Sequence, residues 1–278
     1  MLRRELSPRE FRNLEKDYAG NQKILQGKVF SGEIDLGENA DRFNEMGMCQ
    51  AMDHLMALQV LRNILEENGL AYCKDRVYIY GQSHGAYLAY LCNRLAPDMF
   101  AGIIDNSAYL LPYYLNHDRQ ITKVGPVFSL QKIYHYLIAD QEIDRESYDL
   151  RYLYKGFHNM ARIICYHGMN DEMIPLEEKR LFLANVENVT LHVVSGKDVD
   201  GEIFQSTGHS LGADMLKVFE MALPELEGTK RKGKHAGNVP DTKIITDQYI
   251  YQVDRTMGVP VLYREPVKLS LIHISEPT

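Results

Sequence analysis

The sequence has no tryptophan, only four cysteines and ten prolines, and no long apolar run among its 278 residues. Each shortage excludes something. Without roughly 20 consecutive apolar residues, no membrane-spanning helix is expected, and the opening MLRRELSPRE lacks the apolar stretch of a secretory leader. Cys49, Cys73, Cys92 and Cys165 are far apart, and three of them lie in apolar periodic segments, where a thiol behaves as a small hydrophobe. They read as reduced thiols of a cytoplasmic protein. Positive charge is also scarce: 31 Lys and Arg face 38 Asp and Glu, for a net charge of −7. That balance argues against a nucleic-acid partner and against a polybasic membrane contact, both of which need clustered cations. Glycine and proline are too few for a low-complexity chain, and 45% hydrophobic residues suffice for a sizeable core.

Alternation of strand and helix organises the middle of the chain. Apolar residues at helical spacing from Glu45 to Glu67, among them Met48, Met52, Leu55, Met56, Leu61, Ile64 and Leu65, predict an amphipathic helix with these residues in the core, stopped by Asn68-Gly69. Strands are predicted at RVYIY (76–80), FAGIID (100–105), ARIICYHG (161–168) and VTLHVV (189–194), with helices in most of the gaps. The fold class is therefore α/β, with a mainly parallel sheet and flanking helices. A long insertion, Tyr109 to His158, holds eight of the 18 tyrosines and is expected to form a helical lid.

Towards the ends the character changes. Ser7, Pro8 and Glu10 suggest a short capped helix over 7–18, and Val29, Phe30 and Ile34 one or two weak strands. After Leu226, TKRKGKH reads as a basic linker and is followed by two strand-like stretches, KIITDQYIYQV and VPVLYRE. The last ten residues, LSLIHISEPT, resemble the translation of a transposase adaptor used in sequencing libraries and are set aside, with His273 and Glu276. The expected divisions are 1–44, an atypical N-terminal segment; 45–227, the catalytic region with its insertion at 109–158; 228–268, linker and β-rich extension; and 269–278, the tail.

Two stretches fit G-x-S-x-G: Gly81-Gln82-Ser83-His84-Gly85 and Gly208-His209-Ser210-Leu211-Gly212. In this pattern a sharp strand-to-helix turn lifts a serine hydroxyl above a sheet, and both glycines of the first stretch are expected to be needed for lack of room. The first follows a β-rich run and precedes the helical AYLAYLCNRLAP, whereas QST before Gly208 is a poorer buried strand. In α/β-hydrolases the chain order is serine, acid, histidine. Ser83 is followed by acids and histidines at strand ends; Ser210 has only His235, in the basic linker, before the tail. Ser83 is therefore the expected nucleophile, with Ser210 the alternative. Asp171, in the loop after ARIICYHG, is the expected acid, and Asp105, ending FAGIID, the alternative that reads more simply as a turn cap. His209, 38 positions beyond Asp171, is the expected base. The backbone N–H of His84 would be one oxyanion donor, with a second expected from the loop after the third strand of the sheet.

No cofactor or metal is implied. His54, His84, His117, His135, His158, His167 and His192 form no H-E-x-x-H or Cys-His pairing, and there is no phosphate-binding or dinucleotide glycine signature.

Five stretches together, MGMCQAMDHLMAL, YIYGQSHGAYLAYLCNRLAP, GIIDNSAYLLP, CYHGMNDEMIPLEEK and DGEIFQSTGHSLGADM, resemble a bacterial α/β-hydrolase family catalogued as domain of unknown function 2920. The resemblance spans roughly residues 45 to 225. It implies the hydrolase fold, carries the nucleophile to Ser83, the acid to Asp171 and the base to His209, and brings no established substrate beyond a loose association with surface-glycan modification. Family members have a further half-sheet ahead of the segment near Met46. On that basis the chain is expected to be a fragment holding a partial hydrolase fold, with RVYIY at a sheet edge and impaired activity. The function expected is hydrolysis of an ester or other acyl bond of a small or glycan-linked substrate. The alternatives are a prolyl-oligopeptidase-like peptidase and a non-catalytic binding module on the same scaffold. Nothing in the sequence specifies an oligomeric state.

Overall fold

A computed structural model describes residue 9 and residues 27–126, 128–227, 243–256 and 258–267. Apart from Arg9, the readings of a helix over 7–18, of the basic linker and of the ten-residue tail lie outside the described residues. In chain order the elements are β1 (Lys28–Glu33), α1 (Met48–Glu67), β2 (Tyr78–Gln82), α2 (His84–Leu95), β3 (Gly102–Asn106), β4 (Arg119–Val124), β5 (Phe128–Tyr134), α3 (Leu150–Leu153), β6 (Arg162–Gly168), α4 (Leu176–Leu183), β7 (Val189–Val194), α5 (Met215–Leu226), β8 (Ile244–Ile245), β9 (Tyr249–Asp254) and β10 (Val261–Pro266).

Contacts divide the chain into two units, one from Met1–Met46 with Tyr113–Ile143, the other from Gly47–Pro112 with Asp144–Thr278. The second unit contains a four-stranded sheet in the order β2-β3-β6-β7, parallel throughout. This is a partial α/β-hydrolase fold, with β2 at one edge among the described residues. Period-two alternation sends adjacent residues to opposite faces. Ile103, Ile163 and Cys165 join a core with α1, α2 and α4, whereas Ile104, Ile164 and Tyr166 join a second core with α5. A sheet covered on both faces needs continuous apolar strands, which is why GII and IIC read as unbroken runs.

The long helix α1 forms as its periodicity predicts, but its apolar stripe is only partly core. Met48, Met52 and Leu55 are buried, while Met56, Leu61 and Ile64 are exposed. The stripe outruns α2, the helix that it packs against.

The stretch 109–158, expected to be a helical lid, combines two strands with helical turns of no more than four residues among the described residues. RQITKV and FSLQKIY form the antiparallel pair β4-β5, with the Gly125 N–H closing the turn on Phe128 O at 3.0 Å. Alternating β-branched and polar residues around a Gly-Pro turn favour a ribbon over a helix. β5 also pairs in parallel with β1, so the two sequence segments of the first unit share one three-stranded sheet. Further along, helix is confined to short 3-10 turns and the single turn of α3. Tyr148 and Tyr154 belong to the second unit's interior: Tyr87 Oη donates to Tyr148 O at 3.0 Å, and Tyr154 Oη to Tyr90 O at 2.9 Å.

The two strand-like stretches near the end form an antiparallel sheet, β10-β9-β8. Asp144 anchors it by accepting from Thr246 Oγ1 at 2.6 Å and Tyr251 Oη at 2.9 Å, and Ile244, Tyr251 and Val253 enter the first core. Among the described residues no helix is long and apolar enough to cross a membrane.

Candidate functional site

The site is assembled at the C-terminal ends of the parallel strands, all within the second unit. β2 ends at Gln82 and α2 begins at His84, leaving Ser83 alone in the turn with φ 56° and ψ −118°. A serine at positive φ is strained by about 1–3 kcal/mol, which the surrounding structure must hold. One restraint is the Ser83 N–H, which donates to Asn106 O at the end of β3 at 2.7 Å. Another is the close approach of strand and helix. A Cβ on Gly81 would lie 2.2 Å from the Gly85 carbonyl, whereas a Cβ on Gly85 would meet nothing within 4 Å. The expectation that both glycines are needed for lack of room is corrected: only Gly81 is hemmed in.

β6 delivers Asp171. Its strand runs into a tight turn in which Asp171 Oδ1 accepts from the N–H groups of Met173 at 2.9 Å and Ile174 at 3.0 Å. Burial acts to raise the Asp171 carboxyl, but the hydrogen bonds from His209 and Ile174 outweigh it and hold the group below the ordinary aspartate value. Asp171 is thus an anion with a fixed orientation.

After β7, a compact loop brings His209 in. Gln205 and Ser206 N–H both donate to Leu211 O at 3.0 Å, and Leu211 is buried in the second core. This loop lies directly against the acid turn: Asn170 N–H donates to Thr207 O at 2.9 Å, and a Cβ on Gly168 would lie 2.2 Å from that same oxygen. Only glycine at 168 allows the two loops to touch. The outcome is a continuous chain of contacts, Ser83 Oγ to His209 Nε2 at 2.7 Å and His209 Nδ1 to Asp171 Oδ2 at 2.9 Å and Oδ1 at 3.1 Å. An ionised carboxylate can only accept, so Nδ1 carries the proton and Nε2 presents its lone pair to the serine hydroxyl.

Several neighbours have no counterpart in the sequence reading. Tyr109 stacks on the His209 ring, centroids 5.3 Å apart and planes 10° from parallel. Asn106 Nδ2 donates to Ser210 O at 3.4 Å, and Ser107 Oγ accepts from Ser210 N–H at 3.1 Å, so the end of β3 grips the histidine loop. The His84 side chain pairs through Nε2 with Gln50 Oε1 at 2.7 Å. Its backbone N–H belongs to the first turn of α2, at the positive end of the helix dipole and beside Ser83.

Asp105 faces elsewhere. Its Oδ1 accepts from Ala108 N–H at 2.7 Å, the turn cap expected of it, while Oδ2 accepts from Tyr90 Oη at 3.0 Å and from Lys179 Nζ at 3.2 Å. Lys179 and Asp105 are fully buried. Burial pushes the Asp105 carboxyl up, and the Lys179 ammonium, with smaller help from Cys165 and Ala108, holds it below the ordinary value. Ser210 sits at φ 64° in a turn, five residues ahead of α5, so its stretch lacks the strand-to-helix junction that GQSHG has. Of GHSLG, the residue that reaches Ser83 is His209. Among the described residues no group of three His, Cys, Asp or Glu side chains could hold a metal ion.

A parallel sheet with a serine at a strained strand-to-helix elbow after β2, and an aspartate and a histidine in the loops after β6 and β7, defines an α/β fold of the hydrolase type. The chain belongs to the family described as Protein of unknown function (DUF2920), which matches residues 30–255. No curated protein matches the sequence. Among solved structures, the chain is similar to a thermostable esterase (14% identity, TM-score 0.39, covering 64% of this chain and 37% of that one). It is also similar to a predicted CIB-like hydrolase from Thermoplasma acidophilum (16%, TM-score 0.33, 62% and 57%) and to Pyrococcus horikoshii acylaminoacyl peptidase (16%, TM-score 0.40, 68% and 30%). The chain therefore spans less than two thirds of the length of each.

Proposed function

We propose that the protein is a serine hydrolase of ester or other acyl bonds, with Ser83 as nucleophile, His209 as base and Asp171 as the acid that orients it. The observation that carries this reading is the 2.7 Å contact between Ser83 Oγ and His209 Nε2, with the opposite ring nitrogen on a buried carboxylate. As Ser83 Oγ bonds to an acyl carbon, its proton passes to His209 Nε2, and Asp171 stabilises the imidazolium. The imidazolium then protonates the leaving alcohol as the acyl-enzyme forms. Water, deprotonated by the same nitrogen, releases the acid and restores Ser83. The His84 N–H supports the negative oxygen of each tetrahedral intermediate, reinforced by α2. Small acyl or glycan-linked esters are the substrate class proposed.

Acyl trapping tests the reading. The protein mixed with p-nitrophenyl acetate and quenched in acid is expected to carry an acetyl group on the peptide containing Ser83, detected by mass spectrometry. Acetyl found on Ser210 instead, in a folded sample, would count against it.

A further inference from the structure

One buried histidine is not used by the chemistry above. His167, the penultimate residue of β6, is fully buried, and its Nε2 lies 2.8 Å from Ile174 O. A carbonyl oxygen only accepts, so Nε2 bears the proton. Nδ1 is buried with no hydrogen-bond partner among the described residues, so the ring is neutral in a single tautomer. The Ile174 peptide is thereby held at both ends: its C=O takes the His167 proton, and the N–H of the same residue donates to Asp171 Oδ1 at 3.0 Å.

We propose that His167 is a positioning residue: by fixing Ile174 it fixes the Asp171 carboxylate, and through it the orientation of the His209 ring. The charged groups that face His167 are Asp171 on its own loop, with Oδ2 3.8 Å from Nε2, Asp105 on β3 and Lys179 on α4. Burial, and next the Lys179 ammonium, push the imidazole below its ordinary value, so it stays neutral where His209 works. Lys179 is itself tethered, with Nζ on Ala108 O at 2.8 Å and on Asp105 Oδ2 at 3.2 Å. A charged His167 would compete with His209 for the carboxylate; a neutral one holds the turn without doing so.

The effect on rate rests on the serine-hydrolase reading, so the test has two arms. In the first, fluorophosphonate labelling rates are measured against pH for wild type, His167→Phe and His167→Gln. Glutamine can place an amide N–H near the Nε2 position; phenylalanine fills the ring volume without a donor. His167→Phe is expected to lower the rate about 10–100-fold, as loss of an outer-shell partner does at metal sites, and His167→Gln to recover most of it. The acid limb of the profile should move to lower pH in His167→Phe, because a loosened carboxylate stabilises the His209 imidazolium less. Unchanged rate and midpoint in His167→Phe overturn the proposal, as does an equal loss in both variants with the midpoint unmoved. The second arm needs neither turnover nor a variant. Ring-nitrogen NMR of the wild type at pH 8 should show His167 neutral and protonated on Nε2; the Nδ1–H tautomer or an imidazolium overturns it. A folded wild type that shows this tautomer but never labels would defeat the serine-hydrolase reading and leave the placement of His167 standing.

Discussion

Asp171→Asn is expected to lower ester hydrolysis on the order of 10⁴-fold while leaving the protein folded, the loss typical of removing the acid from a serine–histidine pair. The reason is the tautomer. Asp171 accepts the Nδ1 proton of His209 and two backbone N–H groups, from Met173 and Ile174. An asparagine has one acceptor oxygen. If that oxygen stays on the turn, its NH₂ faces His209, and the ring must offer a lone pair at Nδ1 and move its proton to Nε2. The proton then points at Ser83, and the base is lost. Hydrolysis of p-nitrophenyl acetate at pH 8 checks this, and a loss under about tenfold contradicts the role given to Asp171. Because the folded Asp171 carboxyl lies below its ordinary value, it remains ionised until the pH falls below the usual aspartate range.

The buried Lys179–Asp105 pair sets the largest effect on stability. Both side chains are fully buried, and Lys179 has two acceptors, Asp105 Oδ2 and Ala108 O. Lys179→Met leaves the Asp105 anion buried and uncompensated, at a cost of about 3–5 kcal/mol. Lys179→Met with Asp105→Asn removes both charges, keeps the amide oxygen as acceptor for Ala108 N–H and lets the amide NH₂ donate to Tyr90 Oη, so it should regain most of the loss. Urea unfolding of the three proteins measures both. The pH dependence has opposite signs in wild type and single variant. In wild type the folded Asp105 value is depressed, so its contribution is present above the unfolded value, about 3.9, and is lost as pH falls through the folded value. Without Lys179 burial raises the folded value, so the penalty is full at neutral pH and shrinks on acidification. A Lys179→Met protein within about 1 kcal/mol of wild type would show that the pair does not hold this region together.

Much of the site is legible in the sequence because its parts are local. A strand, a Gly-bounded serine and a helix are adjacent in GQSHG, and strand ends mark where Asp171 and His209 emerge. What cannot be read is what meets across distance. Nothing near Gly168 signals that a side chain there would strike Thr207, and nothing in GIIDNS signals that Asn106 and Ser107 grip the histidine loop. Lys179 lies in LEEKRLFL, where any reading puts a lysine in solvent; only the fold turns it inward to Asp105. Tyrosine richness between 109 and 158 suggests a lid, yet several of these rings serve the core and Tyr109 covers His209. Composition sees the aromatics and not their partners. The ribbon β4-β5 is missed for a related reason. Its two alternating runs are short, and the parallel partner that completes the sheet, β1, lies 100 positions earlier, as Lys28 opposite Phe128.

The most direct test of the central claim is covalent labelling by a fluorophosphonate probe, with the modified peptide identified by mass spectrometry. The account predicts one label per chain, on Ser83, abolished by Ser83→Ala and retained in Ser210→Ala. A folded protein that takes no label, or one whose label survives Ser83→Ala and disappears in Ser210→Ala, would contradict it.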